Sequence, residues 1–197
     1  MTTKTATMDK NALWKFTNRE IVNSAAGALV YAVLYWVFKA FPMPIPIGEG
    51  IFLRPGVLVP LFMGLMFGPL VGGVTGIVGH IVGDLLAAAG FNLWWALGSG
   101  LLGFIPGLAL YFIREYETIR DYALAELFVA LGVWGGSAVG ALVGDALILR
   151  QGDFAAGMSK FVSEGLTGSL NGLLLMPVLI LIWKAARAGK PRNEFRG

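Results

Sequence analysis

The chain has 197 residues, of which 56% are hydrophobic and only 14% charged, with 15 Lys and Arg against 12 Asp and Glu and a mean hydropathy of +0.72. A soluble domain carries about a quarter charged residues, so the composition excludes an ordinary soluble fold and describes an all-α, polytopic integral membrane protein. Zero Cys excludes disulfides, thiolate metal sites and cysteine nucleophiles together.

Residues 1–17 are polar with no continuous apolar stretch. They read as a cytoplasmic N-terminal segment without a cleavable signal peptide, leaving the first span to direct insertion. That span is predicted from Asn18 to about Phe41, opened by Thr17-Asn18-Arg19-Glu20, which has the Thr-x-x-Glu spacing of a capping box. The following Pro42 to Gly50 segment, with prolines at 42, 44 and 46, lacks donors and forces extended backbone, so it is a stiff loop rather than helix. A short second span runs from about Pro55 to Phe67 and breaks at Gly68-Pro69. The third covers Pro69 to about Ala89. A fourth extends from an N-cap at Asn92 to Arg114, a fifth from about Tyr122 to Leu149, and a sixth from Phe154 to about Trp183.

Residues 18–183 thus form one six-helix bundle, followed by a basic cytoplasmic tail over 184–197. With six crossings both termini share a side, and basic residues choose it. One side receives Lys4, Lys10, Lys15, Arg19, Arg114, Arg120, Lys184, Arg187, Lys190, Arg192 and Arg196; the other receives Lys39, Arg54, Arg150 and Lys160. The termini are therefore expected in the cytoplasm, and the sequence pI of about 9.3 is explained by topology without a nucleic-acid partner.

Ionisable groups at membrane depth are expensive and mark sites. At 1.5 Å per residue, His80 lies about 16 Å from the turn at Pro69 and Asp84 about 6 Å beyond it. Counting inward from the start of the sixth span, Lys160 is about 9 Å and Glu164 about 15 Å deep. Glu49, Arg54, Trp94, Trp95 and Asp145 fall in the same outer layer. Gly76, His80 and Asp84 share one face of the third helix, and Lys160, Glu164, Thr167 and Asn171 form a stripe on the sixth. Convergent polar stripes at one depth describe a pocket open outward.

Each group has a plainer reading. Lys160 and Glu164 also fit an i, i+4 salt pair. His80 fits a core histidine, the tryptophans an interfacial belt, and Asp145 an exposed helix end. Ser24, Ala28 and Ala32 form a small-residue face in the first span, suited either to internal packing or to docking a separate membrane subunit.

No Gly-x-x-x-x-Gly-Lys-Ser/Thr loop occurs, so the chain does not hydrolyse ATP by itself. One His without Cys makes a tight zinc site improbable, and no Gly-x-Ser-x-Gly elbow is present. No cofactor is expected. An enzyme is disfavoured; a stand-alone carrier or channel, or an intramembrane enzyme using His80 and Asp84, remain the alternatives.

The layout of six short helices resembles the substrate-binding S component of energy-coupling factor (ECF) vitamin transporters. The resemblance is carried by the Arg54-Pro55 start of the second helix, Phe67-Gly68-Pro69-Leu70-Val71-Gly72, Gly76-x-x-Gly79-His80-x-x-x-Asp84, and Trp94-Trp95-x-x-Gly98-Ser99-Gly100. Residues 54 to 108 look closest to a subgroup often labelled riboflavin-type. The resemblance implies an ABC-type importer in the plasma membrane of a prokaryote, with a membrane coupling (T) subunit and two ATPase subunits that use the ATP. It also implies a docking face of the form Ala-x-x-x-Ala on the first helix, which Ala28 and Ala32 match. A vitamin or related micronutrient would bind in the outer half beneath the Pro42 to Gly50 loop and be released by toppling. On that footing Trp94 or Trp95 stacks on a planar ring, and Asn92, Glu164 and Asn171 bond its edge. Arg54 or Lys160 pairs an anionic group, while His80 and Asp84 line the floor and Glu49 lies in the gate.

Overall fold

The computed structural model describes residues 13–44, 52–88, 90–113 and 115–188. Helix α1 spans Asn18–Ala40. Its start is fixed as the Thr-x-x-Glu spacing requires, the Thr17 N–H donating to Glu20 Oε2 at 3.0 Å. The chain then extends through β1 (Met43–Pro44), which pairs antiparallel with β2 (Phe52–Leu53) in the register Met43 to Leu53. The proline-rich loop is therefore closed at its feet by a short ladder; Glu49 lies outside the described residues.

A 3-10 turn at Pro55–Val57 leads into α2, Leu58–Phe67. Gly68 has φ +106° and ψ 170°, a backbone region open essentially to glycine. Pro69, lacking a donor, then begins α3 (Pro69–Leu86). Three residues shorter than expected, α3 stops where Ala88 and Gly90 take positive φ.

Helix α4 covers Leu93–Gly107. Asn92 caps it, its Oδ1 accepting from the Trp94 and Trp95 N–H groups at 3.1 and 3.3 Å. Pro106 removes a donor from the last turn, after which the backbone tightens to a 3-10 turn at Leu108–Tyr111 and ends short of Arg114.

Helix α5 begins at Ile119 rather than Tyr122, because Thr118 and Asp121 form a reciprocal capping box: Thr118 N–H to Asp121 Oδ2 at 2.8 Å and Asp121 N–H to Thr118 Oγ1 at 3.3 Å. It is α-helical to Ser137 and continues as a π-helix over Ala138–Ile148, a departure from the uninterrupted helix expected there. Helix α6, Phe154–Ala188, outlasts its predicted end at Trp183, since Lys184-Ala185-Ala186-Arg187-Ala188 are all good helix formers.

Helices α1, α3, α4 with its final turn, α5 with its π extension, and α6 are long and apolar enough to cross a membrane. Pro55–Phe67 is a shorter apolar helix.

Helix α3 lies between α1 and α4, α4 also meets α2 and α5, and α5 meets α6. Glycines of α3 explain the close approach on both sides. A Cβ at Gly76 would stand 1.8 Å from Ser99 O, and one at Gly72 2.3 Å from Gly103 O. On the α1 side, a Cβ at Gly79 or Gly83 would meet the ring of Tyr31 at 2.7 Å or of Tyr35 at 2.5 Å.

This packing bears on the small-residue face of α1. Ser24, Ala28 and Ala32 are 2%, 4% and 0% exposed. Gly79 lies against Ala28 O, and Thr75 Oγ1 donates to Ser24 O at 3.5 Å. The small-residue face of α1 is covered by α3, the internal packing that was one of the two readings of these residues.

The apolar core, built on Leu61, Leu65, Ile113, Ala125, Val129, Met176 and Ile180, joins α2, α4, α5 and α6 toward the end of the bundle where α2 and α4 finish and α5 begins. The opposite end is where the polar side chains gather.

Candidate functional site

A cavity of about 490 Å³ opens at that opposite end, within the usual 300–1,000 Å³ of a small-molecule site. Its walls come from the C-terminal parts of α1 and α3, Arg54 and the 3-10 turn before α2, the N-terminal parts of α4 and α6, and α5 at Val133, Gly136 and Ser137. Arg54, His80, Asp84, Asn92, Trp95, Lys160 and Glu164, all expected from the sequence, line it.

Trp94 and Asn171 are not among the lining residues. Adjacent residues of a helix point about 100° apart, so only Trp95 reaches the cavity. Trp94 packs instead on the π-helical stretch, where a Cβ at Gly144 would lie 2.3 Å from its own Cβ. Asn171 is 1% exposed. Its Oδ1 accepts from the Arg54 N–H at 3.1 Å while its Nδ2 donates to Thr167 O at 2.7 Å. It therefore fixes the backbone of Arg54 rather than facing the cavity.

The charged groups are paired across helices. Arg54 Nη1 donates to Glu164 Oε1 at 2.6 Å and also bonds Oε2. Lys39 Nζ donates to Asp84 Oδ1 at 3.3 Å, and Lys160 Nζ donates to Asp145 Oδ2. The i, i+4 reading of Lys160 with Glu164 is thereby corrected: each pairs with a different segment. Asp145, readable as an exposed helix end, is 3% exposed. Among the described residues each of the three cations on the wall thus meets a carboxylate, two of these, Asp84 and Glu164, on the wall and the third, Asp145, behind it. Arg54 and Lys160, the two candidates for pairing an anionic group, are each paired with a carboxylate here.

Deeper in, the polar groups form one connected chain. Asp84 Oδ1 accepts from Tyr35 OH at 2.8 Å, and Asp84 Oδ2 lies 3.5 Å from His80 Nε2. His80 Nδ1 is hydrogen-bonded with Ser99 Oγ at 2.8 Å. Tyr31 OH completes the chain 3.2 Å from Ser99 Oγ. Ser99, His80 and Asp84 thus stand in the order of a hydrolytic triad. Ser99 lies inside α4, however, where neighbouring N–H groups are bonded within the helix and no donor pair faces an incipient oxyanion. The arrangement is suited to shaping a cavity floor rather than to acyl transfer.

Tyr31, Tyr35, Lys39 and Ser99 also line the cavity, and sequence reasoning passed over them. Tyr31, Tyr35 and Lys39 recur every four residues on α1, a face signal as clear as that of Gly76, His80 and Asp84. The Tyr35 and His80 rings stand 4.8 Å apart at 50°, and Lys160 Nζ lies 5.1 Å from the Trp95 ring centroid. The site is therefore aromatic and hydrogen-bonding in character, with its described cations paired. No group of three or more His, Cys, Asp or Glu suited to a metal occurs among the described residues.

The model of the family described as "ECF-type riboflavin transporter, S component" matches residues 15–184. The chain is similar to UPF0397 proteins of Streptococcus pneumoniae strains Hungary19A-6, CGSP14 and R6. Each is 29% identical over 191 residues, covering 91% of this chain and 98% of the relative.

Proposed function

The chain belongs to the ECF-type riboflavin transporter S component family, whose members are membrane substrate-binding subunits rather than enzymes, and we propose that it captures a planar, uncharged micronutrient in the cavity, with riboflavin the first candidate. The observation that carries this reading is the cavity itself: about 490 Å³, one indole and two phenol rings on its walls, and each cation among its described lining residues, Lys39, Arg54 and Lys160, held by a carboxylate. A phosphate group would have to break one of these ion pairs, while an uncharged ring system can stack and accept hydrogen bonds without doing so.

The rest of the proposal follows the family. The protein crosses the plasma membrane of a prokaryote six times with both termini cytoplasmic, a reading supported by the excess of basic residues on that side. Helix α2 and its leading turn, Pro55–Phe67, reach about 20 Å at 1.5 Å per residue. The extended residues 52–54 add up to about 10 Å, enough together for the hydrocarbon core of about 30 Å. The whole chain acts as one transmembrane domain, with the Pro42 to Gly50 loop as gate. Release follows toppling with a coupling subunit and two ATPases, which use the ATP.

Reconstitution tests this. In proteoliposomes holding the protein, a coupling subunit and the ATPase pair, riboflavin uptake is expected only with ATP and all partners present. Flux through the protein alone, without ATP, would instead identify a stand-alone carrier and overturn the proposal.

A further inference from the structure

Asp145 does not itself line the cavity, yet three residues that do converge on it. Its Oδ1 accepts from Asn92 Nδ2 at 3.3 Å, and its Oδ2 accepts from Trp95 Nε1 at 3.0 Å and from Lys160 Nζ. A carboxylate 3% exposed in an apolar bundle is tolerated only when its oxygens are matched in this way.

What it holds is specific. Trp95 is confined on another side by Gly140, where a Cβ would come within 2.6 Å of its ring. Asn92 is the N-cap of α4 and fixes the backbone on which Trp95 sits. The π-helical stretch supplies the register: its Leu149 N–H reaches back five residues to Gly144 O at 2.8 Å. The wider turn places Gly140 and Asp145 against the same indole, which a continuation at 3.6 residues per turn would not do in this register.

The geometry points to Asp145 as a positioning residue that sets the plane of the Trp95 indole, and hence the stacking surface offered to the ligand. Lys160 balances the charge of that carboxylate rather than the charge of the ligand. The inference rests on the binding role proposed above and adds to it the residue through which α5 controls the aromatic wall.

The test uses the full-length protein in lipid nanodiscs with riboflavin as the probe. D145L is expected to weaken riboflavin binding about tenfold, the scale of losing a hydrogen bond to a charged group. D145N, whose amide oxygen still accepts the indole N–H, is expected to stay within about threefold of the parent. In a W95F background, which keeps a ring but has no N–H, D145L is expected to have little further effect. An equal loss in both backgrounds would overturn the inference, because Asp145 would then act independently of Trp95.

A second measurement does not need the ligand. The indole N–H resonance that disappears in W95F is expected to move in D145L and to move less in D145N; an unmoved resonance in D145L would overturn the inference. If riboflavin fails to bind the parent protein, the choice of riboflavin falls, and the indole resonance still decides the role of Asp145.

Discussion

Replacing Gly76 with valine is expected to leave little correctly folded protein. A Cβ there would lie 1.8 Å from Ser99 O and 2.9 Å from the Gly100 nitrogen, so the obstacle is backbone and no side-chain rotation relieves it. Overpacking typically costs about 1–3 kcal/mol, and a backbone clash of this kind should reach or exceed the upper figure. The damage is also placed where it matters. Separating α3 from α4 pulls His80 from Ser99, breaking the 2.8 Å hydrogen bond between them and opening the cavity floor. Thermal unfolding in detergent should show a midpoint lowered by about 6 °C or more, with binding lost in parallel. Gly73→Ala is the control on the same helix, since its Cβ meets nothing closer than 3.5 Å, the Phe104 side chain. That variant should unfold within about 2 °C of the parent.

Trp95→Ala is expected to produce the largest loss of binding among the wall residues. The side chain lines the cavity, held by Asp145 and Gly140, and removing a preorganised aromatic surface from a stacked ligand should cost about 2–3 kcal/mol, or roughly 30- to 150-fold in affinity. Trp94→Ala provides the contrast. Its ring packs on Gly144 outside the cavity, so that variant should lower the unfolding midpoint while changing affinity less than about threefold. Titration of both variants with riboflavin checks the pair, and equal losses in affinity would contradict the placement of the two tryptophans.

Much of the scaffold was legible because it depends on local chemistry. The Thr17–Glu20 cap, the Asn92 cap and the Gly68-Pro69 break each involve residues within four positions of one another, and each is found where the sequence placed it. The four-residue recurrence of His80 and Asp84 likewise brings both to the cavity.

What escaped was tertiary. Lys160 and Glu164 satisfy the local i, i+4 rule, yet the structure gives each a partner from another segment, a choice no single-helix pattern encodes. The π-helix was hidden because the run from Ala138 to Ile148, apolar but for Asp145, has too few polar positions to fix a helical period. Its signal was fainter: Gly140 and Gly144, where the two tryptophans needed room. The small face of α1 was a true packing signal whose partner was inside the chain. Asn171 looked like a ligand group because polarity marks a buried site without saying which buried group it serves.

The central claim is that this cavity holds an uncharged planar molecule. Its most direct test is mass spectrometry of small molecules released by denaturing protein purified from its native membrane, compared between the parent and Trp95→Ala. One aromatic, phosphate-free compound at close to one per chain in the parent, absent from the variant, is the predicted result. A phosphorylated or otherwise anionic compound, or the same yield from both proteins, would contradict the account.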